Sequence, residues 1–187
     1  MKPLDMKDIA IIDALPVYDC RRTVLNVGCG PGRIDFHLAK MGYRVWGIDI
    51  MRYDEWEDSE NLSFHIANIF DLSSMPIQRP DIIICSQVLE HLENYGMALV
   101  NMMALARIRI VLTTPYRNSF SHPEHLHFWD DKENGKFKDI NEIKYICHPN
   151  SVSISKIKTK KKDAAKRKNN YLIIIDKRQN IMSKGVL

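Results

Sequence analysis

Residues 24–32 read Val-Leu-Asn-Val-Gly-Cys-Gly-Pro-Gly, an apolar run that ends in three glycines on alternate positions. Thr23 to Val27 is short, β-branched and bounded by Arg21-Arg22 and by glycine, the pattern of a strand buried on both faces. Beyond the glycines, Ile34, Leu38 and Met41 recur at helical spacing and Gly42 stops that helix. Strand, glycine turn and helix make the front half of a βαβ unit. Bare backbone at such a turn lets a ligand approach the main chain at a helix N-terminus, the general nucleotide position of doubly wound folds. The spacing argues against a dinucleotide. There GxGxxG is expected, whereas Gly28-Cys29-Gly30-Pro31-Gly32 is GxGxG, Arg33 follows, and Pro31 has no N–H to offer a pyrophosphate.

Working outward, Tyr43 to Asp49 reads as a second strand, and further apolar runs recur at 62–66, 81–85, 108–113, 152–157 and 171–175. Helical patterns occupy Leu92 to Leu105 and residues 139–148, and Met6, Ile9 and Ile12 give one more ahead of the first strand. Strands alternating with helices predict an α/β fold, Rossmann-like and doubly wound, with a seven-stranded, mostly parallel sheet. The last two strands are joined by residues 158–170, rich in lysine, with no apolar pattern for a crossover helix. They are expected to form an antiparallel C-terminal hairpin with a basic tip.

The chain has 187 residues, enough for one domain with a real core and short for two, so a single domain over 1–187 is expected. Residues 1–22 would supply an N-terminal helix able to act as a lid. No apolar stretch approaches the roughly 18 residues of a membrane span, and the N-terminus lacks a secretory pattern, so no membrane association and a cytoplasmic location are expected. Cys20, Cys29, Cys85 and Cys147 are widely spaced, which predicts reduced thiols rather than a disulfide framework. Net charge is +4, yet residues 1–150 carry 16 basic against 21 acidic side chains (−5) and residues 151–187 carry 11 against 2 (+9). A polyanion such as nucleic acid would meet the chain at the basic 158–168 segment; the alternative is a solvated tip that keeps an edge strand from aggregating.

From Val24 to Trp129 the sequence resembles the class I S-adenosylmethionine-dependent methyltransferases, with its stations in the family's order. The glycine run is similar to the first motif. Asp49 stands at the end of the second strand, where the family's acidic residue takes both ribose hydroxyls; a carboxylate has two acceptor oxygens for two vicinal donors. "HIANIFDL" (65–72) is similar to the adenine loop, with Asn68 where the family usually has Asp and with Ile69 or Phe70 to cover the ring. Asp71 is there either a second acceptor or a helix cap. Asn26 stands where the family commonly has an acid that reaches the cofactor's amino group through water. "PDIIICSQVLEHL" (80–92) is similar to the fourth strand and its turn, and "IRIVLTTPY" (108–116) to the fifth. The resemblance implies S-adenosyl-L-methionine as cofactor, held by Asn26, Gly28, Cys29, Gly30, Gly32, Asp49, Ile50, Asn68, Ile69, Ser86 and Gln87. It implies an enzyme that transfers a methyl group to an oxygen or nitrogen of a small-molecule acceptor.

In-line transfer from a sulfonium asks for alignment, dryness and, for a protonated nucleophile, a base. The segment after the fifth strand holds His122, Glu124, His125 and His127, and histidine is the natural base near neutral pH. Three readings stay open: His122 or His125 is the catalytic group facing the acceptor, the cluster holds a metal, or the histidines cap and pack. For the second, Gln87-x-x-Glu90-His91 bears a partial resemblance to the small-RNA 2′-O-methyltransferases, in which Glu-x-x-Glu-His and a later histidine hold a divalent ion. The first carboxylate is missing here, so no metal ligand is assigned. The alternatives to a small-molecule enzyme are therefore an RNA 2′-O-methyltransferase with a degenerate metal site and a cofactor-binding scaffold without activity.

Overall fold

The expected alternation forms in order in this computed structural model, which describes residues 3–16, 22–75, 79–116, 123–133, 137–157 and 170–177. Five parallel strands come first: β1 (Thr23–Val27), β2 (Arg44–Asp49), β3 (Leu62–Ile66), β4 (Ile82–Ser86) and β5 (Arg109–Pro115). After a short parallel pair, β6 (Trp129–Asp130) with β7 (Lys138–Asp139), the chain adds β8 (Ser151–Ile157) and β9 (Asn170–Asp176). The seven-stranded sheet has the order β3-β2-β1-β4-β5-β9-β8, with β9 antiparallel to both neighbours. The expected C-terminal hairpin is thus present, and its basic tip (158–169) lies outside the described residues. Strand order reverses between β1 and β4, which opens a crevice at their carboxyl ends.

Among the described residues four α-helices cover the sheet: α1 (Met6–Asp13), α2 (Arg33–Lys40), α3 (Tyr95–Leu105) and α4 (Glu142–Ile146). On one face Ile11 and Leu15, near and beyond the end of α1, join Ile34 and Leu38 of α2 against Val24, Val45, Phe64 and Ile84. On the other, Leu99 and Met102 of α3 meet Leu25, Ile83, Ile110 and Ile173, with Trp129 and Ile143 completing the layer. A central strand sandwiched this way must be apolar on both faces, and Ile82, Ile83 and Ile84 are all fully buried. Each such side chain contributes about 1.5–3 kcal/mol relative to exposure.

Two helices are shorter than their sequence patterns. The stretch 139–148 yields a helix only over Glu142–Ile146, because Lys138–Asp139 pair with Trp129–Asp130 instead. The 92–105 pattern starts at Tyr95, where Asn94 caps it by accepting from the Met97 N–H at 2.9 Å. Between β2 and β3 the described chain makes no crossover helix. Trp56 fills that place, stacked on Phe64 at 5.1 Å between ring centres and donating from Nε1 to the Gly30 carbonyl at 2.8 Å.

Candidate active site

The glycine turn shows why each glycine is there. All three have positive φ, but their surroundings differ. A Cβ on Gly28 would stand 2.3 Å from Val88 Cγ2, and one on Gly32 would stand 2.5 Å from Phe64 Cζ, so packing excludes side chains there. At Gly30 an added Cβ would meet nothing within 4 Å. That residue opens onto free space, the place a ligand would take.

Beside the turn lies a cavity of about 870 Å³. Asn26, Gly28 and Cys29 line it from β1 and the turn, Ser86 and Gln87 from the end of β4, and Lys7 and Asp8 from α1. The expected cofactor residues of the first and fourth strands therefore converge on one opening. Gln87 holds a left-handed backbone (φ 59°), rare outside glycine. Its N–H donates to the Thr113 carbonyl at 2.9 Å and its Nε2 to Thr113 Oγ1 at 3.3 Å, while Ser86 Oγ lies 2.8 Å from the same hydroxyl. Thr113 of β5 thus fixes both side chains at the cavity wall.

Asp49 ends β2 beside the turn: Oδ2 accepts from the Gly30 N–H at 2.9 Å and Oδ1 from the Ile50 N–H at 2.8 Å. Each oxygen keeps a second lone pair for a hydroxyl donor. The Ala67 N–H donates to the Asp49 carbonyl at 2.8 Å, which brings the adenine-loop segment alongside. There the helix-cap role considered for Asp71 falls to Asn68, whose Oδ1 accepts from the Phe70 N–H at 2.9 Å. Ile69 is 5% exposed and packs into the core, whereas Phe70 at 42% and Ile50 at 73% offer open apolar surface. Of the two residues expected to cover a ring, Phe70 has the accessible face. Burial, then the charges of Asp35 and Asp49, push the Cys29 thiol pKa up, which disfavours its thiolate.

On the acceptor side His122 lies outside the described residues, and His125 meets the ring of His91 edge-on at 4.7 Å. The loop is pinned by the Leu126 and His127 N–H groups, which donate to the Glu90 carbonyl at 2.7 and 3.2 Å. His91 Nδ1 lies 3.0 Å from the Glu124 carbonyl. His127 packs, with Nε2 2.8 Å from the Leu92 carbonyl and its pKa lowered by burial, then by Lys138. Glu90 is 1% exposed with Oε1 unpartnered, while Oε2 accepts from Thr114 Oγ1 at 3.3 Å. Burial pushes its carboxyl up to about 7. One ligand atom each of Glu90, His91 and His125 lie within 4.8 Å of one another, the group of three such residues found among the described residues.

Sequence reasoning missed Glu55 and Glu57, which line the cavity, Asp35, which accepts from the lining Asn26, and Trp56, which donates to the Gly30 carbonyl. Asp35 carried one signal, an acid three residues before Leu38 on the apolar stripe of α2. It also missed that Arg33 binds the buried Asp8 at 2.8 Å and so ties α1 to the turn.

A doubly wound sheet of this order, with an open GxGxG turn and a carboxylate at the end of β2, defines a class I methyltransferase fold. The chain belongs to the S-adenosylmethionine-dependent methyltransferases, matching the methyltransferase domain family over residues 10–153. Among its relatives is the ubiquinone biosynthesis O-methyltransferase of Coxiella burnetii, 26% identical over 168 residues that cover 71% of each chain. That of Hydrogenovibrio crunogenus is 32% identical over 77 residues, 37% of this chain and 32% of that protein. The chain thus spans about a third of the latter's length. In structure it is similar to the 1,6-didemethyltoxoflavin-N1-methyltransferase of Burkholderia thailandensis, crystallised with 1,6-didemethyltoxoflavin and S-adenosylhomocysteine. The TM-score is 0.63 at 18% identity, over 85% of this chain and 72% of that one.

Proposed function

We propose that this chain transfers a methyl group from S-adenosylmethionine to an oxygen or nitrogen of a small-molecule acceptor. The observation that carries the reading is the cavity lined by Asn26, Gly28, Cys29, Ser86 and Gln87, next to a Gly30 with open space at its Cα and an N–H that Asp49 accepts from. Asp49 takes the ribose hydroxyls, Phe70 and Ile50 cover the adenine, and Ser86 and Gln87 border the methionine part. When bound, the cofactor supplies an electrophilic methyl on a sulfonium whose departure leaves a neutral thioether. The acceptor's lone pair forms the new bond in line with the one that breaks, and its proton passes to a base. His125, held by the pinned loop, is that base, and α1 is the lid, anchored through Arg33 and Asp8. Both O- and N-methyltransferases stand among the similar proteins, which supports the acceptor class. The free thiols Cys29, Cys85 and Cys147 support a cytoplasmic setting, and no helix among the described residues is long and apolar enough to cross a membrane.

Thermal melting with S-adenosylmethionine, S-adenosylhomocysteine and NAD tests the cofactor. Ligand at about 100 times its Kd stabilises by about 2.7 kcal/mol; the first two are expected to raise Tm and NAD to leave it unchanged. An Asp49→Ala variant that folds should lose the shift. Stabilisation by NAD alone would overturn the reading, and binding without turnover on any acceptor would favour a scaffold.

One observation favours a second reading. Glu90, His91 and His125 gather as three of the four positions that hold a divalent ion in the small-RNA 2′-O-methyltransferases. With Gln87 at the fourth, the site would be one charge short. An RNA acceptor would contact the basic segment 158–168, and its binding should weaken steeply with salt; binding indifferent to salt would remove it.

A further inference from the structure

Asn26 and Asp35 form a buried polar pair under the glycine turn. Asn26 is 3% exposed on β1 and Asp35 is fully buried on α2, the helix that the turn begins. Asn26 Nδ2 donates to Asp35 Oδ2 at 2.8 Å. Two atoms are then left over: Asn26 Oδ1 and Asp35 Oδ1 are both buried and both without a partner. Unpartnered buried oxygens of this kind each cost on the order of 1–3 kcal/mol. Such a cost is retained where a ligand repays it.

The rest of the neighbourhood is shaped around the carboxylate. Asn26 pairs with Gly47 in the β1–β2 register, and a Cβ at Gly47 would stand 2.9 Å from Asp35 Oδ1 and 2.5 Å from Phe64 Cδ1. A side chain in β2 at that point would displace the acid. The Cys29 thiol senses its charge, since Asp35 helps burial to raise its pKa. Among the described residues no basic side chain pairs with Asp35, and burial pushes its own pKa up to about 7. Asn26 in turn lines the cavity, and a neutral amide there is a weak partner for a cation.

Granting the cofactor reading above, we infer that Asp35 is a positioning residue for the cofactor's ammonium group. Its carboxylate fixes the Asn26 amide with Nδ2 turned inward, so that Asn26 Oδ1 accepts from the ammonium and a negative charge stands one amide behind it. The acid missing at position 26 has moved across the interface to the helix. Asn26 reads the ligand, and Asp35 sets its orientation and supplies the charge.

The test pairs two ligands with two variants by isothermal titration calorimetry. The ligands are S-adenosylhomocysteine and its analogue with hydrogen in place of the α-amino group. The variants are Asp35→Asn, which removes the charge while an amide oxygen still accepts from Asn26 Nδ2, and the exchange Asn26→Asp with Asp35→Asn. Asp35→Asn is expected to bind S-adenosylhomocysteine about tenfold more weakly, the range of a lost hydrogen bond to a charged group, and to bind the analogue within about twofold of the wild type. The exchange variant should regain affinity for S-adenosylhomocysteine, which a merely structural role would not produce. Melting curves for every variant establish that each is folded. Equal losses on both ligands, or no loss on either, would overturn the inference while leaving the cofactor reading intact. Failure of the wild type to bind S-adenosylhomocysteine would instead sink both.

Discussion

Replacing Asp35 by asparagine is expected to stabilise the ligand-free protein above neutral pH, although it removes a native hydrogen-bonding carboxylate. Asp35 is fully buried, and desolvation raises its pKa from 3.8 to about 7. A carboxyl whose folded pKa lies above its unfolded value binds more protons when folded, so its contribution to stability is lost as pH rises from about 4 through 7. The shift of roughly 3 pKa units corresponds to about 4 kcal/mol between the acid and alkaline limits. Asparagine copies the protonated form: it is neutral, and its amide oxygen still accepts from Asn26 Nδ2. Urea denaturation of wild type and Asp35→Asn from pH 4 to 9 reads the difference directly. The advantage of the variant should be near zero at pH 4, grow by about 1.4 kcal/mol per pH unit to pH 7, and then level off. Glu90, also pushed up to about 7, gives both proteins the same residual decline and cancels in the difference. A pH-independent difference, or a variant that is weaker throughout, would refute the view that Asp35 is held as an uncompensated buried acid.

Other consequences are local. Gly30→Ala is expected to cost only about 1 kcal/mol of stability, from its positive φ, yet to abolish the Tm shift with S-adenosylhomocysteine; Gly28→Ala, 2.3 Å from Val88, should destabilise more, by urea melting. His125→Ala should lower kcat on an accepted acceptor by about 10²-fold or more while the calorimetric affinity for S-adenosylhomocysteine stays unchanged. Arg33→Met strands the buried Asp8, and hydrogen exchange in residues 6–13 should quicken by the equivalent of about 1–3 kcal/mol, with β4 unaffected.

The sheet was legible in the sequence because its signals are local. Seven short apolar runs, alternating with helical patterns, are the signature of a doubly wound sheet. The pair β6 and β7 was not legible, since two-residue strands have no periodicity to read. The helix at 139–148 lost its start because pairing of Lys138 and Asp139 with a distant segment won over helix propensity. In the site, glycine spacing and Asp49 are visible because the turn itself demands them. Ile69 and Phe70 are adjacent in the chain, and only the packed fold decides that Ile69 goes inward while Phe70 faces out.

Asp35 shows what local reading cannot supply. Its burial depends on three segments far apart in sequence: Asn26 provides the donor, Gly47 leaves out a side chain, and Phe64 closes the remaining space. Taken alone, Asn26 looks like a loss of charge from the cofactor site, and Asp35 looks like a solvated residue in the first turn of a helix, where the dipole favours an acid. Together they account for each other. A carboxylate on β1 would face Asp35 across the same interface, and two like charges in a dry site are strongly unfavourable. Neutral Asn26 is therefore the residue that lets Asp35 remain an acid, and the amide it presents to the cavity is the route by which that charge acts on a bound cation.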